Sequence, residues 1–351
     1  MDSPYKPGFG ARPAVLVGRE PQLARAQTVL TRVANSGEAG TSVVYTGARG
    51  LGKTVTLGVI GDRARAQGFV VATVTLDRVS DNVQMLATAV GEAVAPLYGE
   101  DRAGSAFWRK VKDRLAALSI EVNAGVVRIV SDAPQQAPRA TVTVQRQVLA
   151  DLLQNAARAA KELEHRGLVL LLDELQEART EDLVVLANAI QDAGKSSETP
   201  LAIFAAGLPQ TPELVMEAAS FTERFDFRSL GRLDSDEAER ALLEPALGLH
   251  VHWEADAAAL AVREAGGSPY LIQLIGEESW MQALPEAGSS IRLEHVAAAT
   301  DLMRENLNNG MFRGRWAKAT PVEKAVIMAV AETADADGVA TTGAISALLG
   351  V

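Results

Sequence analysis

The chain has 351 residues, 48% hydrophobic and 22% charged, the balance of a soluble globular protein long enough for two domains. With 34 Lys and Arg against 44 Asp and Glu, its formal charge of −10 argues against a general nucleic-acid coat. It has no cysteine, which excludes disulfides, thiol chemistry and cysteine–zinc sites.

Residues 1–15 are rich in Pro and Gly and read as an extended arm. They contain no apolar h-region of a secretory signal, and no apolar run reaches the length of a membrane span, so a cytoplasmic protein without a membrane partner is expected. After Leu16–Glu20 a helix is predicted from about Pro21 to Val33, with Leu23, Ala26, Val29, Leu30 and Val33 on one face and Gly37 closing it. Thr41–Thr46 is β-branched or aromatic except at Ser42 and reads as a buried strand. Gly47-Ala48-Arg49-Gly50-Leu51-Gly52-Lys53-Thr54 then fits G-x-x-x-x-G-K-[ST], and a helical spacing follows to Gly68.

Strand, glycine loop and helix is the context a phosphate loop requires. Backbone amides of Gly47, Arg49, Gly50, Leu51, Gly52 and Lys53, with Thr54 and Val55 opening the helix, are the candidate contacts to ATP or ADP. Lys53 would reach the β- and γ-phosphates, and the Thr54 hydroxyl would hold Mg²⁺.

Further along, Phe69–Leu76 reads as a strand, and Asp81–Leu97 and Ala106–Leu118 as helices. Ile120–Val130 alternates around Asn123-Ala124-Gly125 as a hairpin does. Ser131–Arg139 is a surface connection, and Val142–Leu163 a long amphipathic helix with Thr141 as candidate cap. Leu168–Leu172 is an apolar run of the kind buried on both faces; a helix from about Glu181 to Ala193 and a strand at Leu201–Ala206 follow. This alternation predicts an α/β fold with a doubly wound parallel sheet over 16–230. After about Phe227 the strand signal fades. Helices at Ser235–Leu243, Ala255–Ala265, Pro269–Ala283 and Leu293–Leu307 predict a small helical domain over 231–308, and 309–351 carries two more helices.

Asp173 and Glu174 end the Leu168–Leu172 run, where open α/β sheets bind their ligands. Asp173 is a second candidate Mg²⁺ group, through water, and Glu174 a candidate catalytic base that polarises an attacking water. Arg224 and Arg228 lie near the end of the core, and either is a candidate arginine finger for a neighbouring subunit, weighed against an ordinary solvated face. Gly266-Gly267-Ser268-Pro269-Tyr270 opens a helix with Pro at its first position. His250 and His252 lack a third ligand cluster and read as a strand end; Trp108, Trp253, Trp280 and Trp316 read as packing anchors.

Taken in order, LVGRE, TGARGLGKT, LLLDELQ, AAGLP, ERFDFRSLGRLDSDEAERAL and GGSPYLIQL resemble the origin-recognition-like and STAND-like branch of the AAA+ ATPases, over nearly the whole chain. The resemblance implies that Val17 and Gly18 contact adenine and that Pro269 closes over the nucleotide from a helical lid. It implies a polar γ-phosphate sensor at the end of the third strand, where this chain has Ala205-Ala206-Gly207; either Gln176 or a backbone group substitutes, or hydrolysis is slow. It also implies a C-terminal winged helix, of which Pro321–Glu332 and Thr341–Leu349 resemble the first two helices before the chain stops at Val351. The expected function is an ATP-binding, slowly hydrolysing switch that acts on a protein partner or on a second copy. The alternative is a DNA-binding ATPase of initiator or regulator type, which the charge and the truncated winged helix disfavour.

Overall fold

The computed structural model describes residues 1–8, 10–98, 106–118, 120–123, 126–129, 142–335 and 339–351. In chain order its first part runs α1 (Glu20–Ser36), β1 (Val43–Thr46), α2 (Lys53–Ala66), β2 (Val70–Thr75), α3 (Asn82–Val94), α4 (Ala106–Ala117), β3 (Ile120–Asn123), β4 (Val126–Ile129), α5 (Val142–Glu162), β5 (Leu168–Asp173), α6 (Thr180–Lys195), β6 (Leu201–Gly207), α7 (Thr211–Ala218) and β7 (Asp226–Ser229). The second part runs α8 (Ser235–Leu247), β8 (His252–Trp253), α9 (Ala255–Ala265), α10 (Pro269–Ala283), β9 (Ser290–Ile291), α11 (Leu293–Leu307), α12 (Arg313–Lys318), α13 (Pro321–Thr333) and α14 (Thr342–Leu349).

The central sheet has five strands, all parallel, in the order β2-β5-β6-β1-β7. Every residue of β1, β5 and β6 is buried, as continuous Val, Leu, Ile and Ala runs in a parallel sheet require. Each fully buried aliphatic side chain contributes about 1.5–3 kcal/mol. One face is covered by α3, α4, α5 and α6, the other by α1 and α2. The doubly wound α/β expectation is met.

The short strands β7 and β9 depart from the sequence reading. Strand pairing does not end before Phe227: Asp226–Ser229 is β7, on the edge beside β1, with Val43 opposite Asp226 and Thr46 opposite Ser229. Two partly buried and two exposed residues that pair on one side only carry no apolar run to signal them. β3 and β4 form the expected antiparallel hairpin, with Ile120 opposite Ile129. The expected turn at Ala124-Gly125, the connection over 131–139 and the cap at Thr141 lie outside the described residues.

Helices α8 to α11 enclose a separate core with Trp280, Ile272, Ile275, Ile291 and Met303. The N-terminal arm belongs to that core. Tyr5 is 1% exposed; its hydroxyl donates to the Leu242 carbonyl and accepts from Trp253 Nε1 at 3.0 Å, and its ring meets Trp253 and Trp280 edge-on. Gly276 of α10 makes room for it, since a Cβ there would come 2.6 Å from the Tyr5 ring. Helices α13 and α14 pack on each other, and among their described residues only Ala329 is buried. No described helix is long and apolar enough to cross a membrane.

Candidate active site

The loop after β1 turns because Gly50 (φ 86°) and Gly52 (φ 79°) take left-handed conformations that other residues adopt only at a cost. Gly47 N donates to the Gly207 carbonyl at 3.2 Å, tying the loop to the end of β6. Lys53 is the first residue of α2 and 6% exposed; its ammonium donates to the carbonyls of Gly47 (2.9 Å) and Ala48 (3.0 Å). Burial lowers its pKa, while the charges of Glu174 and Asp173 oppose that shift.

The second half of the constellation meets the first through one short contact. Thr54 Oγ1 donates to Asp173 Oδ2 at 2.6 Å. Asp173 ends β5 and is 5% exposed; burial pushes its pKa up, and the Thr54 bond pulls it back. Glu174 follows at φ 56°, with its amide donating to Asp173 Oδ1 at 2.9 Å. Half-exposed Arg49 reaches across from the loop: Nη2 donates to Glu177 Oε1 at 3.3 Å, and Nη1 lies 4.0 Å from Glu174 Oε1. The loop and the acidic strand end, 119 residues apart at Thr54 and Asp173, are thus one site.

The helical half, the expected lid, meets the loop. Tyr270 N donates to the Gly50 carbonyl at 3.2 Å, which sets Pro269 and the start of α10 beside the phosphate loop. Ser268 caps that helix through the Leu271 amide. Val17 is buried in the lid core, and Gly18 (φ 70°) sits against Leu233 and Glu237, at the seam between lid and sheet.

Two contributors to this seam escaped the sequence reading. Arg19 is 4% exposed and spans three backbone segments, donating to the carbonyls of Gly18 (2.7 Å), Leu51 (2.9 Å) and Gly231 (3.0 Å). One guanidinium therefore joins the phosphate loop to the turn that leads into the lid. Burial lowers its pKa, with Glu237 and Glu20 opposing. The arm is the other. Past Tyr5 it crosses Thr54, where a Cβ on Gly10 would lie 3.5 Å from Thr54 Cγ2, and Arg12 pairs with Asp62 on α2. The arginine between Gly18 and Glu20 was the available signal for the first; a lone Tyr among Pro and Gly gave none for the second.

The remaining candidates lie elsewhere. Arg224 is exposed and precedes β7, at the end of the sheet away from the phosphate loop, so it does not reach the loop of its own chain. Arg228 is exposed and paired with Asp226, which Arg25 also holds at 2.5 Å. His250 (φ 58°) and His252, in β8, belong to no group of three or more possible ligands among the described residues.

Residues 15–204 match the AAA ATPase domain family. The chain belongs to that family. It is an ATP-binding ATPase of the P-loop AAA+ type. No curated protein matches the chain in sequence. Among solved structures it is similar to the Aeropyrum pernix Orc1 protein in complex with DNA, at 17% identity and a TM-score of 0.53, covering 95% of this chain and 77% of that one. It is also similar to the Walker-type ATPase PABY2304 of Pyrococcus abyssi, at 14% identity and a TM-score of 0.56, covering 97% and 89%. The Thermotoga maritima RuvB Holliday junction branch migration motor aligns at 15% identity with a TM-score of 0.50, covering 98% and 86%. At these identities the likenesses show the fold alone, and that fold agrees with the AAA ATPase family match.

Proposed function

We propose that this AAA ATPase hydrolyses ATP to ADP and phosphate slowly and uses the cycle as a switch on a protein partner or a second copy. The observation that carries this reading is the Thr54–Asp173 hydrogen bond of 2.6 Å, with Lys53 and Glu174 on either side of it. A hydroxyl and a carboxylate converging at a phosphate loop suit Mg²⁺, which takes oxygen ligands and completes its shell with phosphate and water. Bound there with nucleotide, Mg²⁺ would neutralise charge developing on the phosphate oxygens. Lys53 exchanges its two loop carbonyls for the β- and γ-phosphates. Amides from Arg49 to Val55 cradle the phosphates, Val17, Gly18 and Pro269 enclose the base, and Glu174 takes a proton from the attacking water. Arg224, exposed and ahead of β7, is suited to a neighbouring subunit's site. The lid contacts through Tyr270 and Arg19 give nucleotide state a route to the helical half.

The Orc1 relative is described with DNA, and RuvB as a Holliday junction motor. Over 313–351 this chain sets Arg313, Arg315, Lys318 and Lys324 against Glu323, Glu332, Asp335 and Asp337, which is no basic face. DNA is therefore the second reading, without sequence-specific duplex binding at physiological salt. Calorimetry with ATP and ADP in Mg²⁺, beside phosphate release with and without duplex DNA, tests both. Tight binding with slow, DNA-independent release is expected; no nucleotide binding overturns the site, and nanomolar, salt-resistant preference for one duplex promotes the DNA reading.

A further inference from the structure

β6 ends as Ala205-Ala206-Gly207-Leu208, which offers no side-chain hydrogen-bonding atom beside the phosphate loop. Nor is there room for one at Gly207, where a Cβ would collide with the Thr211 hydroxyl. The polar group at this level comes from the neighbouring strand. Gln176 lies in the 3₁₀ turn Leu175–Glu177, directly after β5 and Glu174, and is 6% exposed. Its Oε1 accepts from Leu208 N at 2.9 Å. An N–H is met only by the carbonyl end of an amide, so this bond fixes which way the amide points. The NH₂ end must face the opposite side, and there Nε2 donates to Glu174 Oε2, with Glu177 Oε1 further off at 3.4 Å.

Glu174 depends on such a partner. Its backbone is left-handed at φ 56°, a conformation that costs a non-glycine residue on the order of 1 kcal/mol and directs the side chain out of the strand's own line. Its other oxygen lies 4.0 Å from Arg49 Nη1. The strand end that anchors Gln176 is itself tied to the loop, through Gly47 N on the Gly207 carbonyl.

We propose that Gln176 is the positioning residue for Glu174: it clamps one carboxylate oxygen, leaves the other for the attacking water, and registers the base to the β6 end and through it to the phosphate loop. The inference rests on the reading of Glu174 as the base. A general base works only within hydrogen-bond reach of the proton it takes, so a carboxylate released to rotate loses turnover while nucleotide affinity stays.

Two substitutions separate this role from simple support of the β6 end. Gln176→Met keeps the length and removes both polar ends. Gln176→Glu keeps an acceptor for the Leu208 amide and replaces the donor to Glu174 with a second carboxylate. Both are expected to lower kcat for ATP by about tenfold or more, with the Kd for ATP and ADP within about twofold of wild type, while Gln176→Met, which leaves the Leu208 amide without its acceptor, melts slightly earlier. Support alone predicts that Gln176→Glu keeps wild-type kcat. That result overturns the inference, as does a Gln176→Met variant that keeps pace or nucleotide affinity that falls along with kcat. A wild-type chain that binds ATP and releases no phosphate overturns the hydrolysis reading together with this one; variants that keep pace with an active wild type overturn this one alone.

Discussion

The two walls of the nucleotide cleft are built by different means. The phosphate wall is contiguous in sequence: one strand, one loop and the first turn of α2, from Val43 to Thr54, shaped by glycine backbone and met by the acidic strand end at Asp173. The lid wall is assembled from distant pieces, with Tyr5 reaching Leu242, Arg19 reaching Gly231, and Tyr270 reaching Gly50. Local chemistry serves the ligand on one wall, and long-range tethers, through the Tyr5 and Arg19 side chains and the Tyr270 backbone, serve the fold on the other. Substitutions on the first should therefore change binding and spare stability, and substitutions on the second should do the reverse.

The largest separation is expected at Lys53 and Tyr5. Lys53→Ala removes the buried ammonium that donates to the Gly47 and Ala48 carbonyls, so calorimetry should find nucleotide affinity reduced at least about a hundredfold, roughly 2.7 kcal/mol or more. Its unfolding midpoint should change little, because the cost of burying the ammonium is set against its hydrogen bonds and its attraction to Glu174 and Asp173, and both go together. Tyr5→Ala empties a fully buried aromatic site and should cost about 3–5 kcal/mol, read as earlier melting of the Trp253 and Trp280 fluorescence signal. A Lys53 variant that melts early, or a Tyr5 variant with full stability, breaks the comparison.

A smaller effect lies away from both walls. Arg146 of α5 holds Asp192 of α6 at 2.6 Å and, with Lys195, keeps that carboxyl below its ordinary pKa. A depressed carboxylate contributes stability above its unfolded pKa and loses it as pH falls through the folded value. Asp192→Asn should therefore cost about 0.5 kcal/mol in urea melts at neutral pH and nothing once the carboxyl is protonated in strong acid.

The same contrast explains what the sequence made legible. β1, α2, β5 and β6 stood out because parallel strands buried on both faces are continuous apolar runs, and Gly47–Thr54 is a contiguous motif. Asp173 and Glu174 were readable because they end such a run. β7 was not, since Asp226 and Arg228 spend their charges on each other and on Arg25 at an exposed edge. Arg19 satisfies its guanidinium on backbone carbonyls, which leave no residue-type pattern. Tyr5 finds its partners 237 positions or more away, beyond any periodicity. Gln176 was visible as a substitute for a missing polar strand end; its hold on Glu174 required the fold.

The central claim is that the loop and the acidic strand end form one hydrolysing site, and single-turnover chemistry on Glu174→Gln tests it most directly. The variant keeps the shape of the side chain and removes the base. Loaded with ATP and Mg²⁺, then quenched and separated over time, wild type should convert bound ATP to ADP while Glu174→Gln retains it with unchanged affinity. Equal conversion by the two proteins would contradict the account.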